Sequence, residues 1–289
     1  MLSSAKCLSI RASANNGFGH SRHSRHSRHS RHSNSHSNSH LNALNALNGL
    51  NGNSHLNFQK KKTKPGAVLF DLDGVIFQHK EALDGVSQRA SAFIEELIRT
   101  PYAKEINRRM YLSYGHTVIG LREEYDINIT FQTFNDYIYD KDMLNAVYKM
   151  HVPLETRVRA MEARIAFVRA QRLGCECYIF TNAPTEWVEL ALTVTGLTHI
   201  FSEDRIISAE EYSHVKPQRQ IYLDVANRLL RDNIQEITFV DDSLLNVANA
   251  PDNWNTWHYG DAGKYPTNIS SLLELYPDHS DHSHHSIDF

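Results

Sequence analysis

Short apolar runs closed by acids or amides punctuate the chain from residue 67 onward. Ala67-Val68-Leu69-Phe70-Asp71-Leu72-Asp73 is the first, and Gly74 ends it. Cys177-Tyr178-Ile179-Phe180-Thr181-Asn182 is the second, and Ile237-Thr238-Phe239-Val240-Asp241-Asp242 the third. Thr256-Trp257-His258-Tyr259 is a weaker fourth. Each run is short and apolar at successive positions, the pattern of a strand buried on both faces. Between the runs, apolar residues recur at helical spacing over 90–98, 157–171, 185–194 and 218–230. Strands alternating with helices predict an α/β fold, a Rossmann-like parallel sheet with helices on each side. The gap from the second run to the third is about 55 residues, which suits one or two crossovers. The gap from the first to the second is about 100, more than one crossover helix uses. A helical cap domain inserted after the first strand, over 80–152, accounts for it, with the core in 67–79 and 153–275.

The flanks have a different composition. Residues 1–66 hold a tandem Ser-Arg-His repeat over 21–33, then Leu-Asn-Ala and Leu-Asn-Gly units over 41–53. Such a segment buries too little apolar area to offset roughly 1–2 kcal/mol of backbone entropy per residue, so a disordered tail is predicted. Electrostatic contact with nucleic acid, weak metal binding by the His-rich tract and an organelle transit peptide remain open as roles for it. Lys60-Lys61-Lys62-Thr63-Lys64-Pro65 reads as a solvated linker or a nuclear signal. The His-rich stretch 276–289 is read as a second loose tail. Charge follows the same division. Residues 1–70 carry ten Lys or Arg and no acid, leaving 20 bases against all 33 acids in the remainder, a net of −13. At 41% hydrophobic residues the chain can still build a core, and no window reaches the roughly 18 consecutive apolar residues of a membrane span. Three cysteines, Cys7, Cys175 and Cys177, do not make a disulfide scaffold. A reducing, cytoplasmic setting is expected, or an organelle if the start is a transit peptide.

The chemistry lies at the strand ends. In an open parallel sheet the carboxyl ends of the strands share one edge, where ligands bind. Asp71, Asp73, Thr181, Asn182, Asp241 and Asp242 are therefore predicted to converge. Each motif alone has a structural reading. Asp71-Leu72-Asp73-Gly74 opens like a calcium loop, but Val75, Ile76 and Ala82 occupy that loop's fifth, sixth and twelfth positions. Asn182 or Thr185, and Asp241-Asp242-Ser243, would serve as helix caps. Their joint occurrence at three strand ends favours a site. Carboxylates about 4 Å apart repel by about 4 kcal/mol per pair at an intermediate dielectric, and a cation removes that cost. Oxygen ligands with room for a phosphate oxygen suit magnesium. Lys216, before Pro217, is the candidate to face the phosphate.

These residues resemble the haloacid dehalogenase superfamily of aspartate-nucleophile phosphatases over about 67–275. Four motifs stand in family order: Asp71-Leu72-Asp73-Gly74-Val75, Phe180-Thr181-Asn182, Lys216-Pro217, and Asp241-Asp242-Ser243 with Asn246. The resemblance implies Asp71 as nucleophile and Asp73 as general acid and then base. It implies Thr181 and the Asn182 N–H on the phosphoryl oxygens, with Lys216 balancing charge. Magnesium would be held by Asp71, the Asp73 carbonyl and Asp242, with Asp241 helping directly or through water. Dehalogenases of the superfamily lack an acid at the position of Asp73, so its presence favours phosphoryl transfer. The stretch 111–121, with Tyr114-Gly115 and Gly120-Leu121, is similar to pyrimidine 5′-nucleotidases of the superfamily, as is Phe134-Asn135-Asp136-Tyr137. Tyr114, His116 and His79 are thereby substrate candidates. Tyr111, Tyr114 and Leu121 also read as cap core at helical spacing. The implied activity is hydrolysis of a small phosphorylated metabolite, most simply a nucleoside monophosphate. A sugar-phosphate phosphatase or phosphomutase is the nearer rival, and a non-catalytic binding module with a nucleic-acid-contacting tail the more distant one.

Overall fold

The computed structural model describes residues 66–260 and 267–277. The two tails expected at the ends, and the lysine-rich linker, lie outside the described residues apart from their inner margins. The four apolar runs form β1 (Gly66–Phe70), β2 (Cys175–Phe180), β4 (Glu236–Asp241) and β5 (Asn255–Tyr259). Two further strands, β3 (Ile206–Ile207) and β6 (Asn268–Ile269), have only two residues each, too short to show a period in sequence. All six are parallel, in the order β3-β2-β1-β4-β5-β6. Phe70 is level with Ile179 on one side and Val240 on the other. The residues that follow β1 and β4, and those that close β2, therefore emerge at one edge.

Side chains alternate across a strand, and both faces are covered. Val68, Phe70, Cys177, Ile179 and Val240 face α6 (Leu154–Arg172) and α7 (Thr185–Thr195), where Ala163, Ala166, Trp187 and Val188 complete one core. Leu69, Tyr178, Phe180 and Phe239 face α8 (Arg219–Arg231) through Ile221, Tyr222, Val225 and Leu229. This burial on both faces is why the strands are apolar at consecutive positions. A short α9 (Leu244–Asn249) follows β4.

The stretch between β1 and α6 holds five helices: α1 (Lys80–Ile98), α2 (Ala103–Tyr114), α3 (Thr117–Tyr125), α4 (Phe131–Ile138) and α5 (Lys141–Lys149). Helix α1 runs ten residues further back than the periodic segment 90–98. Its first half is mostly polar and open to solvent, and His79 caps it by accepting the Ala82 N–H. Helices α1 to α4 build their own core around Ile94, Met110, Val118, Leu121 and Phe134. Helix α5 instead sends Met143 and Val147 into the core shared by α6 and α7. No helix among the described residues is long and apolar enough to cross a membrane. Cys175 and Cys177 are free thiols.

Candidate active site

Lys216 is the hub of the sheet edge. Its ammonium is 1% exposed, yet its three donors are all used: Asp71 Oδ1 at 2.9 Å, Asp241 Oδ2 at 2.7 Å and the Phe180 carbonyl at 2.7 Å. The rings of Phe180 and Phe239 flank it at 5.0 and 5.4 Å. Burial by itself would lower the lysine pKa; Asp241 and Asp71 outweigh burial and raise it, so the side chain is a fixed positive charge. Asn182 holds the lysine's backbone in place. Its Nδ2 donates to the Lys216 carbonyl at 2.8 Å and its Oδ1 accepts the Lys216 N–H at 2.9 Å. Thr181 is buried beside it, with Oγ1 accepting the Ala183 N–H at 3.1 Å.

The third motif separates into two roles. Asp241 is fully buried and its carboxylate is saturated: Ser243 N–H at 2.8 Å, Asn246 Nδ2 at 3.0 and 3.1 Å, and Lys216. Asp242 turns out to the open side, and its carbonyl meets His258 Nε2 at 3.0 Å. Gly74 makes room for it. A Cβ there would lie 2.1 Å from Asp242 Oδ2, and φ is +85°, so glycine is needed on both counts. Carboxylate oxygens of Asp71, Asp241 and Asp242 lie within 4.8 Å of one another.

Asp73 is held by a residue that no sequence motif marks. Trp187, fully buried at the start of α7, donates its indole N–H to both Asp73 oxygens, at 2.9 and 3.2 Å. Phe77 and Tyr139 pack on the indole at 5.6 and 5.2 Å. Burial pushes the Asp73 carboxyl up to about 6, against the opposing pull of Trp187 and Lys216. A carboxyl titrating there gives and takes protons near neutral pH.

Residues 65–248 match the family described as hydrolase, haloacid dehalogenase-like hydrolase. The chain belongs to this family. No curated relative matches the sequence. Among solved structures, a HAD hydrolase, family IA, variant 3, from Entamoeba histolytica is similar at a TM-score of 0.53 and 15% identity, covering 72% of this chain and 94% of that one. A HAD phosphatase from Thermococcus onnurineus is 24% identical over 73% and 95% of the two chains, with a TM-score of 0.46. An L-2-haloacid dehalogenase from Xanthobacter autotrophicus is 17% identical over 69% and 79%, with a TM-score of 0.40. At 15% identity the likeness to the Entamoeba histolytica structure speaks for the fold alone.

The edge of this hydrolase fits a divalent cation. Its donors are carboxylate oxygens, the set that hard cations take. Burial raises the Asp71 carboxyl well above the ordinary carboxylate range, with Asp241 adding and Lys216 opposing. Asp242 is pushed up to about 7, by the surrounding protein first and Asp241 second. One lysine does not neutralise four acids. Because both Asp241 oxygens already accept hydrogen bonds, Asp71 and Asp242 are the residues that would hold the ion.

The cap reaches this edge through α2. Gly115, its C-cap at φ +72°, lies so close to Pro217 that a Cβ would approach the ring at 2.5 Å. One turn earlier stands Tyr111. It is 53% exposed. Desolvation raises its hydroxyl pKa well above the usual value, and Asp242, Asp241, Asp71 and Asp73 all add to the rise. Tyr111 is thus not cap core; Leu121, fully buried, is.

Of the three substrate candidates, Tyr114 and His116 lie in the cap and His79 just ahead of it. Tyr114 lies beside Glu124 and Arg109, and burial followed by Glu124 raises its hydroxyl pKa. His116 caps α3 through the Val118 N–H at 3.2 Å, with its ring against Phe131 and Phe134 at 5.1 and 5.4 Å. Burial, then Arg122, lowers its pKa to about 4, so the ring is neutral. His79 is buried as the cap of α1, its Nδ1 taking the Ala82 N–H at 3.4 Å.

Proposed function

We propose that the protein is a magnesium-dependent phosphatase that hydrolyses a small phosphomonoester, a nucleoside monophosphate in the first instance, through an aspartyl-phosphate at Asp71. One observation supports the phosphoryl-transfer part: an acid, Asp73, stands two residues beyond Asp71, tied to the Trp187 indole N–H at 2.9 Å, with burial pushing its carboxyl up to about 6. In the first step an Asp71 oxygen attacks phosphorus, the P–O ester bond breaks, and the Asp73 proton goes to the leaving oxygen. In the second, Asp73 takes a proton from water as the water attacks phosphorus, and the Asp71 carboxylate is regenerated. Lys216 balances the charge of Asp71 throughout, and Thr181 with the Asn182 N–H receives phosphoryl oxygens. A bound magnesium ion would offset phosphate charge at Asp71 and Asp242. The nucleotide part rests on the similarity of the stretch 111–121 to pyrimidine 5′-nucleotidases and on Tyr111, an aromatic residue half exposed near the four acids.

Phosphate release from a panel of nucleoside monophosphates and sugar phosphates, with and without magnesium, tests the reading. The expected result is metal-dependent release, fastest with a nucleotide, and a loss of at least about 10⁴-fold in Asp71→Asn. Turnover of sugar phosphates alone would remove the nucleotide. Near wild-type activity in Asp71→Asn would show that another group attacks, and indifference to a chelator would remove the metal.

A further inference from the structure

Helix α6 buries one face and leaves an apolar stripe on the other. Thr156, Ala160, Ala163, Ala166 and Ala170 face inward. On the opposite side Leu154, Val158, Met161, Ile165 and Val168 are exposed, from 73% at Leu154 and 57% at Met161 to 36% at Ile165. Their spacing is four, three, four, three, the heptad of a helix–helix seam and not the scatter of isolated surface hydrophobics. The sheet side needs only the small inward residues, so packing within the described residues does not account for the stripe.

We propose that this stripe is the seam of a homodimer, in which two copies of α6 lie antiparallel across a two-fold axis. A two-fold interface must be complementary to itself. The antiparallel register meets that condition: Val158 lies against Val168 of the second copy, Met161 against Ile165, and Leu154 against the stem of Arg172. Charge selects this orientation. Exposed Glu155 stands at the first turn and exposed Arg172 at the last. Antiparallel packing brings each acid to the other copy's base and opposes the helix dipoles, whereas parallel packing sets like charges together. Of the charges nearest the axis, Glu162 is paired with Arg159 at 3.3 Å, and Arg164 is held by a hydrogen bond with His199 at 2.9 Å that leaves its positive charge in place. A helix of 19 residues is about 28 Å long. Two of them with their flanking side chains bury on the order of 1,200 Å², the lower end of a specific interface.

Sedimentation equilibrium of the full chain at micromolar concentration tests this. The wild type is expected at about twice its chain mass of 33.1 kDa. Met161→Glu with Ile165→Glu is expected to sediment as single chains, with unchanged circular dichroism and phosphate release. Glu155→Arg should weaken association about tenfold, and adding Arg172→Glu should restore it. If the double-glutamate variant misfolds, the charge pair decides. A monomeric wild type overturns the proposal, including one whose α6 amides are shielded from exchange from within the chain. A dimer that survives the two glutamates, or no rescue by the second charge reversal, overturns it as well.

Discussion

The strand-end edge and the cap handle polar residues in opposite ways. At the edge, Asp71, Lys216 and Asp241 come from three distant segments and meet in pairs buried from water. Just ahead of the cap helices, polar side chains are taken up by local bonds. His79, His116, Thr130 and Asp140 each accept an N–H from the first turn of the helix they precede. A helix start has orphan donors that draw in the nearest acceptor. Strand ends carry such local bonds too, Thr181 with the Ala183 N–H and Asp241 with the Ser243 N–H, but there Lys216 also ties Asp71 to Asp241 across the sheet. A polar residue ahead of a cap helix therefore says little about chemistry, whereas one that ends a buried strand says a great deal.

The contrast can be broken or sharpened by substitution. Lys216→Met should have the largest effect, because it leaves two buried carboxylates without their cation. A stability loss of about 3–5 kcal/mol is expected in urea unfolding, together with lost phosphate release. A milder stability change would mean that the acids at the edge are neutralised otherwise.

His116 tests the local side. Its folded pKa of about 4 lies below the ordinary 6.5. The folded state therefore binds fewer protons there, and its contribution to stability, complete above pH 6.5, is lost as pH falls toward 4. That amounts to about 3 kcal/mol between the two limits. Denaturation curves of His116→Asn, which keeps a capping side chain, should be flatter over this window. Parallel curves would show that the histidine does not carry the dependence.

Trp187→Phe keeps the ring's packing and removes the indole N–H from Asp73. A fall in kcat of about tenfold is expected, within the range of general-acid effects. The fall should be larger with an alkyl phosphate, whose leaving group needs a proton, than with p-nitrophenyl phosphate. An equal loss on both substrates would assign the tryptophan to packing alone. Tyr111→Phe should act least, a few-fold on KM with kcat held, the pattern of lost ground-state binding. An unchanged KM in Tyr111→Ala would remove the residue from the substrate's path.

Much of the edge is readable along the chain because each strand is closed by the residue that carries the chemistry. Asp71 and Asp73, Thr181 and Asn182, and Asp241 and Asp242 follow apolar runs that have few other ways to fold. Trp187 is not readable in this way, since an aromatic residue near a helix start fits any core and its tie to Asp73 spans 114 positions. The division between Asp241 and Asp242 is hidden as well. Adjacent acids look alike until Ser243, Asn246 and Lys216 saturate one of them.

Periodicity and strand-end chemistry, both local along the chain, were enough to determine a parallel sheet, an inserted helical segment and the acids at its edge. Tertiary structure alone decided which cap residue faces those acids. Tyr111 and Tyr114 sit three positions apart on one helix, yet the charges of the edge acids act on the first and that of Glu124 on the second, with Gly115 at the helix end close against Pro217. Rotation of a helix about its axis is set by what it packs against, and that partner lies about a hundred residues further along the chain.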